Sequence, residues 1–319
     1  IEVSDQIHHR EYDVIVDGIF GVGLKRGVAG IWQETIEKMN LMSGSKVAID
    51  VPSGVDASSG QILNTAFRAD ITVTFGLNKI GLVLHPGCDM AGVVVVRDIG
   101  FADTEILAVA PRVCGYDRSD LAGLPVRSDT SNKGTYGRVA VIAGSRDMSG
   151  AMTFAAEAAY RMGAGLVKVY THSANRTIAG LRIPEAVLMT YDDETGAESC
   201  AQDAVTWADV ILIGPGIGMQ EEAGSMVRYV MSHAEQPVLA DADALNIMAR
   251  DKAVLSEHRG DVIITPHMGE MSRLVGRSIP DIKKNILEVC KDFAMEYNVI
   301  NVLKDSRTCV SCGESSYIN

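Results

Sequence analysis

The sequence is short of positive charge and has no long apolar run. Its 319 residues include 29 Lys and Arg against 41 Asp and Glu, which gives a formal net charge of −12. An acidic surplus repels polyanions, so we expect neither a nucleic acid nor an anionic membrane surface as a partner. No apolar stretch approaches the ~18 residues that span a bilayer. The hydrophobic content of 47% is that of an ordinary globular protein.

Cysteine is scarce and scattered, with six residues in the whole chain. This usage fits reduced thiols in the cytoplasm better than a disulfide framework, so we expect a cytoplasmic protein. Cys309 and Cys312 have C-x-x-C spacing, but positions i and i+3 of a strand point to opposite faces. No second pair of this kind exists to complete a zinc site. We therefore interpret the pair as structural.

Short Val/Ile-rich runs, by contrast, are abundant and alternate with helical stretches. Most of these runs lack strict apolar/polar alternation, which is typical of strands covered on both faces. Strand–helix–strand repetition predicts an α/β protein with parallel, doubly wound sheets. The ten predicted strands are DVIVDGIF, KVAIDV, DITVTFG, GVVVVRDIG, RVAVIAG, LVKVYT, DVILIG, PVLAD, DVIITP and INVLKD.

The repetition of strands and helices breaks once. Residues 102–130 have two prolines, many polar residues and no sustained period. The length of the chain is that of about two domains. We therefore predict a first domain over residues 1–103, a connection over 104–129 and a second domain over 130–319.

Polar and titratable residues follow several of the predicted strands. In open parallel sheets, ligands bind outside the carboxyl ends of the strands. In the first part these residues are Asp17, the segment Gly21–Gly27, Asp50 and Ser53. In the second part they are Gly144–Gly150, Gly214–Gly218, Asp241, Asp243, His267, Glu270 and Lys304. Together they predict a cleft for a polar ligand.

Each of these features, taken alone, also fits a purely structural role. Gly21-x-Gly23 lacks the spacing of a dinucleotide fingerprint and is typical of a turn. Gly144–Gly150 lacks the Gly-Lys-Ser/Thr of a phosphate-binding Walker loop, so a helix-start turn and an anion nest both fit. Asp241 and Asp243 fit helix caps, His267 fits a core position and Lys304 fits a surface position.

At these residues the chain resembles the bifunctional NAD(P)H-hydrate repair enzymes. The first part carries the resemblance through DGIFGVGLKRG, AIDVPSGVDASSG and ADITVTFGLNKIGLVLHPG. The second part carries it through NKGTYGRVAVIAGSRDMSGA, GAGLVKVYT, IGPGIG, ADADALN, TPHMGE and VLKDSRT. The resemblance covers nearly all the chain apart from the connection. It implies a Rossmann-like epimerase domain followed by a ribokinase-like α/β/α dehydratase domain.

The resemblance also implies a function. Family epimerases interconvert the R and S hydrates of NADH and NADPH, called NADHX and NADPHX. Family dehydratases use ADP to convert the S hydrate back to NADH or NADPH, and they release AMP and phosphate. Two alternatives stay open: a vitamin or sugar kinase of the ribokinase-like group, and a first domain that acts as a protein-binding scaffold. From the family likeness we also expect a homo-oligomer.

The resemblance further implies roles for particular residues. Asp17 and Ser53 match potassium ligands of the epimerase, and Asp50 matches a substrate contact that can shuttle a proton. The matched epimerase substrate loop is Gly21, Val22, Gly23, Leu24, Lys25, Arg26 and Gly27. The matched hydrate contacts of the dehydratase are Ala151, Gly216 and His267. Its matched ADP contacts, with magnesium, are Lys304, Asp305, Ser306, Arg307 and Thr308.

The sequence departs from the family pattern in four places. The family has a strand and an Asn/Gly-rich loop before the part matched here, and a Gly-rich anion loop with a catalytic Asp after it. We therefore expect residues 1–319 alone to show little dehydratase activity and to leave one side of the second sheet unpaired or poorly covered. The family also often has His in place of Asn132 and Gly in place of Asp305.

Overall fold

The structure is a computed structural model that describes residues 11–109, 112–192 and 195–319. The chain divides into two compact units, Ile1–Pro111 and Arg112–Asn319. The predicted first domain starts at residue 1, and residues 1–10 lie outside the described part. Within the described part, no helix combines the length and the apolar character needed to cross a membrane.

Unit 1 contains a four-stranded parallel sheet of order β1-β2-β3-β4. Its strands are β1 Val14–Asp17, β2 Ser45–Ile49, β3 Ile71–Phe75 and β4 Val93–Arg97. Its helices are α1 Ile31–Leu41, α2 Gly87–Ala91 and α3 Asp103–Val109, with a 3₁₀ turn at Ile80–Leu82. The carboxyl ends of all four strands therefore lie at one edge of this sheet.

One face of the unit 1 sheet carries the core. Ile15 and Ala48 are buried there with Ile36 of α1 and Phe67. On the opposite face Val14 is 53% exposed. We expected these strands to be covered on both faces, but among the described residues that face has no packed layer. The helix α1 packs against the first face.

Unit 2 contains a ten-stranded sheet. Its strands are β5 Val113–Gly115, β6 Arg138–Ile142, β7 Leu166–His172, β8 Val187–Tyr191, β9 Val210–Ile213, β10 Val238–Ala240, β11 Val262–Ile264, β12 Ile300–Leu303, β13 Cys309–Ser311 and β14 Ser316–Ile318. Its helices are α4 Ser149–Met162, α5 Arg176–Arg182, α6 Ala197–Trp207, α7 Glu221–His233, α8 Asp243–Arg250, α9 Ala253–Ser256, α10 Met268–Val275, α11 Ile279–Lys284 and α12 Ile286–Tyr297. Short 3₁₀ turns occur at Arg118–Gly123, Lys133–Tyr136 and Ser173–Asn175.

The strand order of unit 2 reverses at β6. The sheet runs β5-β14-β13-β12-β11-β10-β9-β6-β7-β8, and the strands from β6 to β12 are parallel. The chain thus adds β7 and then β8 on one side of β6, and it then places β9 on the other side of β6. Since parallel crossovers are right-handed, helices of the two halves cover opposite faces. The β6–β9 pair is therefore the topological switch point, where doubly wound sheets bind their ligands.

All ten predicted strands are present, and the predicted α/β fold with parallel sheets is confirmed. The predicted Gly-x-Gly end of α4 is also present, because Gly163 adopts φ 106° and its N–H donates to the carbonyls of Ala159 and Tyr160. Strand β8 was not predicted. The segment interpreted as a connection contains α3 and β5, and β5 pairs with β14. β14, the last strand in the sequence, is therefore paired on both sides, whereas we expected a side that was unpaired or poorly covered.

We predict opposite stability effects for alanine at two glycines of unit 2. A Cβ on Gly165 would lie 1.7 Å from the carbonyl oxygen of Lys133, whereas a Cβ on Gly180 in α5 meets no atom within 4 Å. Gly165→Ala should destabilise the unit by about 1–3 kcal/mol. Gly180→Ala should stabilise it by about 0.4–1 kcal/mol.

Urea unfolding followed by Trp207 fluorescence measures both effects, with a Trp32→Phe background so that only unit 2 reports. Equal shifts of the two midpoints would contradict the close packing of Gly165 against the Lys133 carbonyl.

Candidate active sites

In unit 1, Asp17 and Ser53 join the loops that follow β1 and β2. Asp17 is 1% exposed at the end of β1. The backbone N–H and the hydroxyl of Ser53 both donate to its carboxylate, each at 2.7 Å. The N–H of Phe20 donates to the Ser53 hydroxyl at 2.8 Å. Burial raises the pKa of Asp17, with the Ser53 hydrogen bonds acting in the opposite direction.

The oxygen atoms around Asp17 fit a hard cation. The cluster consists of the Asp17 carboxylate, the Ser53 hydroxyl and the Phe20 carbonyl, which lies 3.3 Å from that hydroxyl. Within residues 11–109 no lysine or arginine nitrogen pairs with this buried carboxylate. Oxygen donors suit hard cations, and a cation here would offset an otherwise uncompensated charge.

The loop after β1 borders an open cavity of ≈ 550 Å³. Five of its seven predicted substrate contacts line this cavity: Gly21, Gly23, Leu24, Lys25 and Arg26. Val22 and Gly27 are not among the lining residues. The Lys25 ammonium donates to Asp56 and Ser58, both at 3.3 Å. These contacts link the loop to the chain that follows Ser53.

Asp50 follows β2 at the same edge of the sheet and has a strained backbone, with φ 66°. Its Oδ1 accepts from the Lys79 ammonium at 2.6 Å, the Thr74 hydroxyl at 3.1 Å and the Phe75 N–H at 3.2 Å. Burial alone would raise the pKa of Asp50, but the Lys79 and Phe75 hydrogen bonds hold it below its ordinary value. Asp50 is therefore an ionised carboxylate.

Sequence reasoning missed Lys79 and Thr74 as partners of Asp50. Lys79 also donates to the Thr74 hydroxyl at 2.9 Å and to the Phe75 carbonyl at 2.7 Å. A signal was available, because residues that follow adjacent parallel strands meet at one edge. β2 and β3 are such neighbours, and Lys79 follows β3.

In unit 2, two predicted hydrate contacts meet at the switch point. The N–H groups of Gly144 and Ser145 donate to the carbonyls of Pro215 and Gly216, at 2.9 and 2.6 Å. Gly216 has φ 64°, and a Cβ on it would lie 2.8 Å from the Ala151 Cβ. The loop after β9 therefore packs against the start of α4 only because position 216 is a glycine.

His267 is a helix cap rather than a core histidine. Its Nδ1 accepts from the N–H groups of Gly269 and Glu270, at 2.9 and 3.3 Å. The buried Glu270 accepts the His267 N–H at 2.9 Å, which completes a capping box at the start of α10. Since Nδ1 accepts, Nε2 of the neutral ring carries the proton and lies 3.3 Å from Glu270 Oε1. The side chain is 56% exposed.

The acidic pair after β10 does not cap α8. Asp243 accepts the N–H of Gly218 at 2.9 Å, and Asp241 accepts from the Lys304 ammonium at 3.0 Å. Asp241 therefore pairs with the residue that follows β12, and Asp243 joins the loop after β9. The capping hypothesis for both residues was wrong, because N-cap Ala242 has no side-chain acceptor.

The predicted nucleotide contacts form the turn between β12 and β13. The backbone N–H of Lys304 donates to the Pro266 carbonyl at 2.8 Å. This bridge places Lys304 next to His267. Asp305 pairs with Lys283 at 2.9 Å, while Ser306 and Arg307 are exposed. The strand ends thus place His267 and Lys304 side by side, with the exposed turn beyond them.

Comparison with known proteins identifies the family of this chain. A sequence model of NAD(P)H-hydrate dehydratase matches residues 139–318, more than half of the chain. The chain belongs to this family. A second family model, described as the YjeF-related protein N-terminus, matches residues 1–81.

Curated relatives of the family match both units in one chain. The bifunctional NAD(P)H-hydrate repair enzyme of Escherichia coli K12 is 34% identical over 98% of this chain and 58% of its own length. That of Moorella thermoacetica is 34% identical over 96% of this chain and 59% of its own length. This chain therefore spans about three fifths of the length of these relatives.

Two solved structures resemble unit 2 in fold. The ADP/ATP-dependent NAD(P)H-hydrate dehydratase of Bacillus subtilis, co-crystallised with ATP and Mg²⁺, has a TM-score of 0.53 and 31% identity over 61% of this chain and 68% of its own. A ribokinase-like superfamily protein of Enterococcus faecalis has a TM-score of 0.56 and 27% identity, covering 65% of this chain and 71% of its own. The ribokinase-like fold expected for this part of the chain is thereby confirmed.

We predict that Lys79 lowers the pKa of Asp50 and stabilises the fold through this ion pair. In Lys79→Met the pKa of Asp50 should rise towards its ordinary value of 3.8. Because the folded-state pKa is lowered, the stabilisation from this pair is present at neutral pH and is lost as the pH falls through that pKa. The variant should lose about 1.5–3 kcal/mol of unfolding free energy at neutral pH and less at about pH 3.

Urea unfolding at both pH values, followed by Trp32 fluorescence in a Trp207→Phe background, measures this difference. Lys38→Met is the control, because Lys38 is an exposed lysine of α1. A loss that stays the same at both pH values would show that Lys79 acts through packing alone.

Proposed function

We propose that the protein repairs hydrated NADH and NADPH, with epimerisation of the hydrates in unit 1 and ADP-dependent dehydration of the S hydrate in unit 2. The observation that supports this most is the row of groups along the unit 2 strand ends. Gly216, packed against Ala151, gives the substrate access to the backbone. His267 adds a hydrogen-bonding ring, and the neighbouring Lys304 adds a cation. A nicotinamide hydrate beside a diphosphate needs these three features.

In unit 1, we propose that Asp50 moves the proton of the C6 hydroxyl. Removing this proton lets the C6–N1 bond open to an aldehyde, and N1 takes up the proton. Closure on the other face of C6 returns the proton to oxygen and gives the epimer. An ionised carboxylate is the form that can accept the proton, and Lys79 and Thr74 hold Asp50 in that form.

We propose that Asp17 and Ser53 hold a potassium ion in unit 1. The buried carboxylate and the Ser53 hydroxyl supply hard oxygen ligands, and the Phe20 carbonyl lies next to them. When bound, the ion supplies positive charge that offsets the Asp17 carboxylate. The two residues then fix the loop after β1, which borders the cavity.

In unit 2, we propose that the C6 hydroxyl attacks the terminal phosphorus of ADP, so that AMP leaves. The C6–O bond then breaks and phosphate leaves as the ring nitrogen lone pair forms C=N⁺, and loss of the C5 proton restores the dihydronicotinamide. Lys304 faces the phosphates, and magnesium accompanying ADP offsets their charge. His267 orients the nicotinamide ring through its exposed imidazole, whose Nε2 lies 3.3 Å from Glu270 Oε1.

The activity is tested by incubating the full-length protein with S-NADHX and ADP and following the dihydronicotinamide absorbance. Recovery of NADH with release of AMP and phosphate is the expected result. Phosphorylation of a vitamin or sugar without NADH recovery would instead identify a ribokinase-like kinase. If neither NADH nor a phosphorylated vitamin or sugar forms, the remaining hypothesis is that the first domain is a protein-binding scaffold.

Asp50→Asn separates the two proposed activities. In the full-length protein it should abolish R-to-S interconversion, because the amide cannot accept the hydroxyl proton, and leave dehydration of S-NADHX unchanged. Chiral chromatography of the hydrates and the absorbance assay measure the two reactions. Equal loss of both activities would refute separate sites in the two units.

His267 variants separate its capping from its proposed substrate contact. His267→Ala should weaken hydrate binding by up to about tenfold, the loss of one hydrogen bond, and leave ADP binding nearly unchanged. His267→Asn is the matched control for folding, because Asn also caps helices. It should keep the melting temperature and still weaken hydrate binding. If calorimetry showed that only ADP binding changed, our placement of the hydrate would be wrong.

A further inference from the structure

A second cavity lies at the carboxyl ends of β6, β7 and β8, on the side of the switch point away from His267. Its volume is ≈ 220 Å³. None of the residues to which the family likeness assigned a substrate, nucleotide or metal contact lines it. We call it the β7–β8 recess, and its polar lining includes Ser145, Arg146, Asp147, His172, Tyr191 and Glu222.

Buried polar side chains behind the lining support one wall of this recess. Asn175, which is 2% exposed, donates to the Ser145 carbonyl at 3.0 Å and to the Thr171 hydroxyl at 2.9 Å. Thr171 donates in turn to the Gly144 carbonyl at 3.0 Å. Buried polar groups that are mutually satisfied hold one arrangement. The recess is therefore preformed, and it is fixed to the same loop that bonds Gly216.

The floor of the recess contains a buried histidine and tyrosine. His172 is 5% exposed, and its Nδ1 accepts the N–H of Ala174 at 3.1 Å, so the neutral ring carries its proton on Nε2. The rings of His172 and Tyr191 meet edge to face at 5.8 Å. The recess thus offers aromatic surface as well as charge.

The order of the strands connects this recess to the proposed reaction site. From β11, which precedes His267, to β7 the sheet crosses β10, β9 and β6. Four strand spacings correspond to roughly 19 Å, a distance on the scale of an extended dinucleotide. The opposite direction from His267 leads to the Asp305–Thr308 turn, which we assign to ADP. The part of the hydrate remote from nicotinamide therefore extends past Gly216 towards the recess.

The charges of the recess favour one form of that remote part. Asp147 and Glu222 supply two carboxylates against the single guanidinium of Arg146. Carboxylates accept hydrogen bonds from ribose hydroxyls, as in dinucleotide sites that select NAD, and they repel a 2′-phosphate. One guanidinium suits the pyrophosphate that precedes this ribose.

We propose that the β7–β8 recess binds the adenosine half of the hydrate, and that Asp147 and Glu222 make the dehydratase select NADHX over NADPHX. This inference rests on the proposed function of unit 2. It assigns a substrate preference to side chains that have no part in the phosphoryl transfer itself.

The test compares dehydration of S-NADHX and S-NADPHX by the full-length protein. We expect kcat/KM to be about tenfold higher for NADHX, since a like-charge contact opposes the 2′-phosphate. The double variant Asp147→Asn/Glu222→Gln should remove most of this preference by raising kcat/KM for NADPHX. Glu221→Gln is the matched control, because Glu221 pairs with Arg228 on α7 and does not line the recess.

A shorter substrate tests occupancy of the recess separately from its charge. The S hydrate of reduced nicotinamide mononucleotide lacks the adenosine half, so its kcat/KM should be well below that of NADHX and unchanged in the double variant. Equal kcat/KM for the mononucleotide hydrate and NADHX would overturn binding in the recess while leaving the repair activity intact. A NADHX preference that persists in the double variant, or a wild-type preference for NADPHX, would overturn the roles of Asp147 and Glu222. No turnover of any hydrate would remove the proposed function, and this inference with it.

Discussion

The two hydrogen bonds from Gly144 and Ser145 to Pro215 and Gly216 are the constraint on which unit 2 depends. They join the loops of β6 and β9, the strands between which the order of the sheet reverses. Main-chain atoms can approach this closely only because Gly216 has no Cβ and adopts a positive φ. The start of α4 on one side and the β7–β8 recess on the other are both positioned by this junction.

The fold was largely predictable because most of its strands are buried Val/Ile-rich runs with helices between them. β8 was missed because VLMTY has fewer β-branched residues and forms the edge of the sheet, where most of its side chains are only partly buried. β5 has three residues, and its partner β14 is about 200 positions later in the chain. Local pattern cannot reveal a strand whose stability comes from such a distant partner.

The candidate sites were predictable by position and less so by role. Strand ends with glycines or titratable groups indicated where Asp50, Gly216 and His267 would lie. The partners of these residues depend on which strands are adjacent, as the contact between Asp50 and Lys79 shows. His267 illustrates a second limit, because a capping box and a ligand contact use the same short motif. A residue can serve both purposes when one ring nitrogen caps the helix and the ring itself stays exposed, as in His267.

Asp17 and Asp50 show how neighbours rather than residue type decide the chemistry of a carboxylate. Both lie at the carboxyl ends of parallel strands, at one edge of the unit 1 sheet. Asp17 is buried with hydroxyl and amide donors, and burial raises its pKa. Asp50 also loses solvation, but the Lys79 ammonium reverses the effect and keeps its pKa low. The first carboxylate therefore gains most from a bound cation, while the second already has its positive charge and can exchange a proton with a substrate.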